Sequence, residues 1–97
     1  MFSWDTRKAA QNLLKHGVGF DEAATVFADS DALDWSDPAH SGSEPRFKRL
    51  GKSFAARVLL VVYTVRRTKD DKETIRIISA RQASRKERKA YAGSPAR

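Results

Sequence analysis

Apolar residues recur with the spacing of a helix in two short segments near the start of the chain. We expect the first helix from Asp5 to Lys15, because Asp5 can cap its start and Gly17 can end it. We expect the second from Asp21 to about Ala28. The apolar stripes are Ala9, Ala10, Leu13 and Leu14 in the first helix and Phe20, Ala23, Ala24 and Phe27 in the second. Since few residues join the helices, the pattern predicts a helical hairpin.

From residue 46 onward the pattern becomes that of strands. Arg46–Ser53 is a predicted strand with a bulge at Gly51. Arg57–Val65 is so rich in branched apolar residues that it indicates a central strand buried on both faces. A charged loop then leads to a third strand, Thr74–Ala80, and short strands at residues 2–4 and 33–35 are compatible with the pattern. Strands joined in this way form antiparallel sheets.

The chain closes with a short basic helix. Ser84 and Glu87 have the spacing of a capping box, which predicts a helix from there to about Ala92. The expected fold is therefore α+β, with an N-terminal helical hairpin packed on a three- to four-stranded antiparallel sheet and a short basic C-terminal helix. We expect residues 1–92 to form one domain and residues 93–97 to form a disordered tail.

Strict alternation along a strand assigns side chains to the two faces of the sheet. For the last strand the two sets are Ile75, Ile77, Ser79 and Arg81, and Arg76, Ile78 and Ala80. Arg66 and Arg81 then each end a stripe of otherwise buried residues. Because the two strands are antiparallel, these arginines are expected at opposite ends of the pair unless a bulge brings them closer.

Length and composition limit the class of protein. With 97 residues, of which 40% are hydrophobic and 32% charged, the chain suits a single domain with one modest core. It has no cysteine, which excludes disulfides and thiolate metal sites and fits a reducing compartment. It has neither a signal-peptide pattern nor an apolar run of membrane-spanning length. We therefore expect a soluble, cytoplasmic protein that does not bind membranes.

The charges are unevenly distributed along the chain. Residues 17–45 contain seven acidic residues and no lysine or arginine, whereas residues 46–97 contain 16 basic and 4 acidic residues. A basic excess of this kind favours a polyanion such as nucleic acid as the partner. A merely solvated surface is the alternative.

The residues leave two kinds of function open. The only histidines, His16 and His40, are far apart in sequence, so no metal site is expected, and there is no phosphate-binding glycine loop or serine-nucleophile motif. His40 could serve as an acid or base, or be an ordinary loop histidine. RNA can be cleaved without a metal when its 2′-hydroxyl is the nucleophile. Arginines can then stabilise the charge on the phosphate, because a guanidinium group binds two phosphate oxygens. The composition therefore fits a metal-independent ribonuclease and a simple nucleic-acid binder equally well.

Several motifs together resemble one family. They are K-x-x-x-N-L-x-K-H-G-V-x-F-x-E-A at residues 8–23, V-F-x-D at 26–29, D-x-x-H-S-x-x-E-x-R at 37–46, V-V-Y-T-x-R at 61–66, R-I-I-S-A-R at 76–81 and E-R-x-x-Y at 87–91. This combination is similar to the BrnT family over almost the whole chain. The turn Phe54–Ala56 departs from it, since the family commonly has a glycine there, and the charged loop RRTKDDKE is longer than usual.

The resemblance implies a RelE-like fold and a type II toxin that arrests translation by cleaving RNA. It also implies a partner, a BrnA-type antitoxin with a ribbon-helix-helix part, through which the complex would contact operator DNA. No cofactor is expected. The implied catalytic residues are Glu44, Arg46, Arg66 and Arg81, and the implied RNA-binding residues are Ser79, Arg85, Arg88, Lys89 and Tyr91. The competing interpretation is a non-catalytic module that binds RNA or a partner protein.

Each of these residues also has a structural interpretation. Glu44 could form a surface ion pair with Arg46, Arg88 could cover apolar surface with its stem, and Tyr91 could pack the last helix. Tyr63, on the apolar central strand, is predicted to belong to the core.

Overall fold

A five-stranded mixed sheet forms the centre of the molecule. The computed structural model describes residues 1–40 and 42–93, and Ser41 of the D-x-x-H-S motif and the end of the expected tail, 94–97, lie outside them. The strands are β1 (Phe2–Ser3), β2 (Leu33–Ser36), β3 (Phe47–Lys52), β4 (Val58–Arg67) and β5 (Glu73–Gln82). Their spatial order is β1-β5-β4-β3-β2, in which β1 runs parallel to β5 and the other neighbours are antiparallel.

Two helices precede most of the sheet in the chain. The first, α1 (Thr6–His16), is capped by Asp5, whose side chain accepts from the backbone N–H groups of Arg7 and Lys8, and it ends at Gly17 with φ of 68°. The second, α2 (Phe20–Thr25), is short because the chain tightens into a 3₁₀ turn at Val26–Ala28.

The prediction of a helical hairpin on a three- to four-stranded antiparallel sheet is wrong in its details, and the RelE-like fold that the family resemblance implied does not match well. Both α1 and α2 pack mainly against β5 rather than against each other. The sheet has five strands among the described residues and is mixed, since the chain's first residues add β1 in parallel. The α+β class itself is confirmed.

An irregularity in β5 changes which side chains share a face. Val62 of β4 pairs with Ser79, but the next residue, Tyr63, pairs with Ile77, so that Ile78 is an extra residue in a β-bulge. The bulge reverses the alternation on one side of it. Arg76 therefore lies on the same face as Ser79 and Arg81, which corrects the faces expected from strict alternation.

The bulge predicted at Gly51 is not present, because the pairing of β3 with β4 is continuous there. Gly51 instead permits a close approach between the sheet and the segment above it. A Cβ atom at this position would lie 2.8 Å from Val26 Cγ1 and 2.9 Å from Ala32 Cβ. The glycine is required by packing rather than by pairing.

The main core lies between the helices and one face of the sheet. It consists of Val18, Phe20, Ala23, Val26, Leu59, Val61, Ile77 and Ala80. Tyr63 extends this layer, as predicted, by contacting the rings of Phe27 and Phe47. Its hydroxyl donates to Asp34 Oδ1 at 2.9 Å, and burial raises the pKa of Tyr63 to about 12.

The last helix, α3 (Arg85–Ala92), starts with the predicted capping box of Ser84 and Glu87. It lies on the opposite side of the sheet from α1 and α2, beside a smaller apolar cluster. That cluster consists of Leu50, Leu60 and Ala83, with Leu33, Val58 and Tyr91 packed against it.

The turn before Arg57 has a backbone conformation that favours glycine, the residue that the family commonly has there. Ala56 has φ of 61°, a left-handed conformation that glycine adopts more easily than alanine. Arg57 and Ser53 on either side of the turn both donate to the Glu22 carboxylate, which holds the turn against α2 and lowers the pKa of Glu22.

Candidate functional site

The face of the sheet opposite α1 and α2 carries most of the candidate site residues, and we call it the open face. Cross-strand pairing and alternation place on it Lys48, Val62, Thr64, Arg66, Arg76, Ser79 and Arg81. The helix α3 covers its end near Leu60, and the segment that joins β2 to β3 covers the part around the buried Thr64. The rest is a basic surface with a floor of uncharged residues.

The candidate residues fall into two clusters at opposite ends of the open face. Arg81 pairs with Leu60 and Arg66 pairs with Thr74, so the two arginines are separated by six positions along β4. At about 3.3 Å per residue this corresponds to roughly 20 Å. The bulge does not bring them together, and one phosphate cannot contact both.

The first cluster is built around Glu44 and Arg66. Arg66 Nε and Nη2 each donate to one oxygen of the Glu44 carboxylate at 2.9 Å, in a two-pronged ion pair. This pair lowers the pKa of Glu44, and the nearby charges of Arg76 and Arg46 lower it further. Three arginines therefore surround one carboxylate, and Arg66 rather than Arg46 is its hydrogen-bonded partner.

The chain between β2 and β3 forms one wall of this cluster. Its ends are joined by a hydrogen bond from the Asp37 N–H to the Arg46 carbonyl at 2.8 Å. The buried Thr64 hydroxyl fixes it to β4 by donating to the Pro45 carbonyl at 2.6 Å. A cavity of about 220 Å³ lies between this wall and the sheet. Its lining includes His40, Glu44, Arg46, Thr64 and Ile78.

His40 is held in this cavity by a buried carboxylate. Its Nδ1 lies 3.1 Å from both oxygens of Asp37, and Asp37 is also 3.9 Å from Lys48 Nζ. The side chain of Asp37 is 11% exposed and that of His40 is 68% exposed. A carboxylate on one ring nitrogen fixes the orientation of an imidazole and leaves the other nitrogen to face a ligand.

The second cluster is built around Arg81 and Glu87. Arg81 Nη1 and Nη2 donate to the two oxygens of Glu87 at 2.7 and 2.9 Å. Glu87 also accepts from the Ser84 N–H at 2.8 Å. Chiefly because of Arg81, the pKa of Glu87 falls to about 2. The fork of Arg81 is thus used to attach α3 to the end of β5.

The other residues of the basic helix differ in their surroundings. Arg88 Nη1 donates to the Ala83 carbonyl at 2.8 Å, and Tyr91 packs on the smaller apolar cluster while its hydroxyl donates to Asp29 Oδ2 at 2.7 Å. Both contacts stabilise the structure of the chain itself. The side chains of Arg85 and Lys89 are exposed and make no hydrogen bond or ion pair within residues 1–40 and 42–93.

Two features of the site were not predicted. Arg76 was assigned to the wrong face because a bulge cannot be read from an alternating pattern. The Asp37–His40 pair was visible as the spacing D-x-x-H before a loop, but only the structure shows that a 3₁₀ turn at Pro38–His40 brings the two side chains together.

Two other kinds of site, for a metal ion and for a membrane span, are not found among the described residues. In the described part of the chain no group of three or more histidine, aspartate or glutamate side chains is arranged to hold a metal ion. No helix among the described residues has the length and apolar character needed to cross a bilayer.

A small α+β protein with a basic, partly uncovered sheet face is typical of proteins that bind polyanions. A more specific classification comes from the sequence itself. The family model described as "Ribonuclease toxin, BrnT, of type II toxin-antitoxin system" matches residues 4–87, and the chain belongs to this family.

A solved structure supports the fold. The chain is similar to the ribonuclease toxin BrnT of Brucella abortus, known from a crystal structure at 1.1 Å resolution, with 20% sequence identity and a TM-score of 0.62. The similarity covers 88% of this chain and 99% of the Brucella chain, so the fold is BrnT-like. No curated protein sequence matches the chain.

Proposed function

We propose that this chain is the toxin of a type II toxin–antitoxin pair and a metal-independent endoribonuclease that inhibits translation by cleaving RNA. Membership of a family of ribonuclease toxins supports the activity. The single observation that supports the mechanism is the pairing of Asp37 with His40 beside the cavity that His40, Glu44 and Arg46 line, with Arg66 bound to Glu44.

The proposed reaction uses the 2′-hydroxyl of the substrate as the nucleophile. The 2′-oxygen attacks phosphorus and loses its proton, while the bond from phosphorus to the 5′-oxygen breaks and that oxygen gains a proton. The products are a 2′,3′-cyclic phosphate and a 5′-hydroxyl. Arg66 and Arg46 stabilise the charge that develops on the phosphate oxygens, and His40 supplies one of the two proton transfers.

His40 suits proton transfer better than Glu44 does. A general base works best when its pKa lies near the working pH, and the surrounding arginines lower the pKa of Glu44, which makes it a weaker base. Glu44 is also already occupied by both prongs of Arg66. Its role in the proposal is to orient Arg66 until the phosphate displaces it.

The experiment is an RNA cleavage assay with the purified chain in the presence of EDTA. We expect cleavage to persist, because an attack by the 2′-hydroxyl needs no metal, and we expect the products to carry 2′,3′-cyclic phosphate ends. His40→Ala should reduce the rate by roughly 10²–10⁴, the range for loss of a general acid or base. Loss of cleavage with EDTA and its return with magnesium would contradict the mechanism.

Thermal melting provides the control for His40→Ala. Because the His40 side chain is mostly exposed, its removal should leave the melting temperature nearly unchanged. A variant that cleaves RNA at the full rate would remove His40 from the mechanism. If the wild-type chain bound RNA without cleaving it under any condition, the non-catalytic interpretation would replace the proposal.

The proposed partner is a BrnA-type antitoxin with a ribbon-helix-helix part, which would neutralise the toxin and bring it to operator DNA. The proposed place of action is the cytoplasm, where translated RNA is found. Family membership supports an antitoxin partner in general. Co-expression with the neighbouring reading frame tests it, since an antitoxin should restore growth and co-purify with the toxin.

A further inference from the structure

A second depression adjoins the candidate active site on the side of α1. It has a volume of about 290 Å³ and lies between α1 and the free edge of β5. Its lining includes Lys8, Gln11, Lys15, His16, Ile78 and Ser79. We call it the α1 cleft. No carboxylate lines it, and the ammonium groups of Lys8 and Lys15 make it positively charged.

Four polar side chains of the α1 cleft make no hydrogen bond or ion pair within the fold. Asn12, which also borders it, is fully engaged with the backbone of β5, but the side chains of Lys8, Gln11, Lys15 and Ser79 make no hydrogen bond or ion pair in the described part of the chain. Four uncommitted polar groups from two elements therefore converge on one space. Their chemistry, two ammonium groups beside an amide and a hydroxyl, matches a phosphodiester and its sugar.

The α1 cleft and the cavity at His40 are parts of one surface. Ile78, the bulge residue of β5, lines both of them. Each has a volume below the approximately 300 Å³ at which sites for small molecules begin. Two small adjoining polar depressions of this kind suit successive units of a chain molecule better than one compact ligand.

We propose that the α1 cleft is a second nucleotide subsite, which binds the phosphodiester and sugar next to the unit held at His40. This inference rests on the proposed function in taking RNA as the substrate. Ile78 separates the two units, Ser79 and Gln11 contact the sugar or base, and Lys8 and Lys15 neutralise the phosphate. The helix α1 thus contributes to a surface that is otherwise formed by His40, Glu44 and residues of the basic second half.

The test measures binding rather than cleavage. Fluorescence anisotropy gives the affinity of the full chain for single-stranded RNAs of two to six nucleotides, with 2′-O-methyl groups that prevent cleavage. For the hexanucleotide we expect Lys8→Gln/Lys15→Gln to raise Kd by roughly tenfold at low salt, because one phosphate contact is lost. We also expect the variant to lose most of the gain in affinity between two and six nucleotides.

A matched control removes the same charge elsewhere. Arg7→Gln/Lys69→Gln also deletes two positive charges, but neither residue lines the α1 cleft. It should change the hexanucleotide Kd by less than about twofold. Equal losses in the two double variants would show that only net charge matters and would overturn the subsite.

The remaining outcomes separate this inference from the proposed function. If binding behaves as expected but the wild-type chain never cleaves RNA, the subsite stands and the proposed function falls. If the wild-type chain cleaves RNA but Lys8→Gln/Lys15→Gln binds the hexanucleotide as well as wild type, the subsite is wrong and the function stands. A variant that keeps its RNA affinity but no longer binds the antitoxin would assign the α1 cleft to the protein partner and overturn the inference.

Discussion

The side chain of Asn12 takes the place of a neighbouring strand at the free edge of β5. Its Nδ2 donates to the carbonyls of Ala80 and Val18 at 2.7 and 3.0 Å, and its Oδ1 accepts from the Ala80 N–H at 3.2 Å. These groups are buried, where an unpaired backbone donor or acceptor is costly. One amide therefore fixes α1, and with it the α1 cleft, against the sheet.

Asn12→Ala should consequently lower the free energy of unfolding by roughly 2–4 kcal/mol, because it leaves more than one buried backbone group without a partner. Denaturant unfolding measures the change. Leu14→Ala on the same helix is the control, since Leu14 is 89% exposed and its removal should cost less than about 0.5 kcal/mol. If both variants were equally stable, the edge contact would be energetically unimportant.

The roles of individual residues show how much of the fold and the site could be predicted from the sequence. Asp5, Gly17, Ser84 and Glu87 have local roles that depend only on near neighbours, and the structure confirms them. Asn12 and Arg76 depend on residues far away in sequence. A polar residue on a helix, or an arginine in a strand, does not reveal in the sequence which distant backbone group or face it meets.

Among the elements, α3 shows how a basic helix is attached to a basic face. The Arg81–Glu87 ion pair joins its first turn to the end of β5, and Tyr91 joins its last turn to Asp29. Arg81, predicted from the sequence as a catalytic residue, is thereby shared between the fold and any role towards RNA, and that role stays a prediction. Lys89 and Arg85 remain on the solvent side.

The Glu87 contact predicts a pH dependence of stability. The pKa of Glu87 falls from an ordinary value of 4.5 to about 2 in the folded chain, so its contribution is complete above pH 4.5 and is lost as the pH falls towards 2. Glu87→Gln should therefore be less stable than wild type by roughly 1–3 kcal/mol at pH 7.

The difference between the two proteins should shrink to nearly zero at pH 2, as measured by denaturant unfolding across this range. A difference that stayed constant with pH would show that the charge of Glu87 is not the stabilising feature. Glu73→Gln is the control, because Glu73 contacts Arg67 only at an exposed strand end.

The bulge in β5 could not be predicted from the sequence. The segment RIISA fits a regular strand equally well, and the extra residue is visible only in the pairing with β4. The two-residue strand β1 and the short β2 were likewise only weakly indicated by the sequence pattern. Strands of this length are stabilised by pairing with their neighbours rather than by their own residues.

In the whole molecule, the acidic segment of the sequence neutralises selected residues of the basic half. Glu22 binds Arg57, Asp34 binds Arg49, and Glu44 binds Arg66. The first two pairs hold the helix side of the fold. At the first cluster on the open face, the single carboxylate of Glu44 faces three arginines, Arg46, Arg66 and Arg76, so a positive excess remains there. The uneven charge along the sequence thus becomes an uneven charge between the two sides of the molecule.

This arrangement predicts a strong dependence of RNA binding on salt. Each phosphate neutralised on a single strand contributes about −0.7 to the slope of log K against log salt concentration, so three or four contacts on the open face give a slope of roughly −2 to −3.

Arg76→Gln should reduce the magnitude of the slope by about 0.7, because Arg76 lies on the open face only as a result of the bulge. Anisotropy titrations between 50 and 300 mM salt, roughly the range over which such slopes are resolved, provide the measurement. Arg67→Gln is the matched control, since Arg67 is already paired with Asp71 and Glu73 at the far end of β4 and should leave the slope unchanged. An affinity independent of salt would mean that the open face does not bind the RNA backbone. A slope for Arg76→Gln equal to that of wild type would mean that Arg76 does not contact a phosphate.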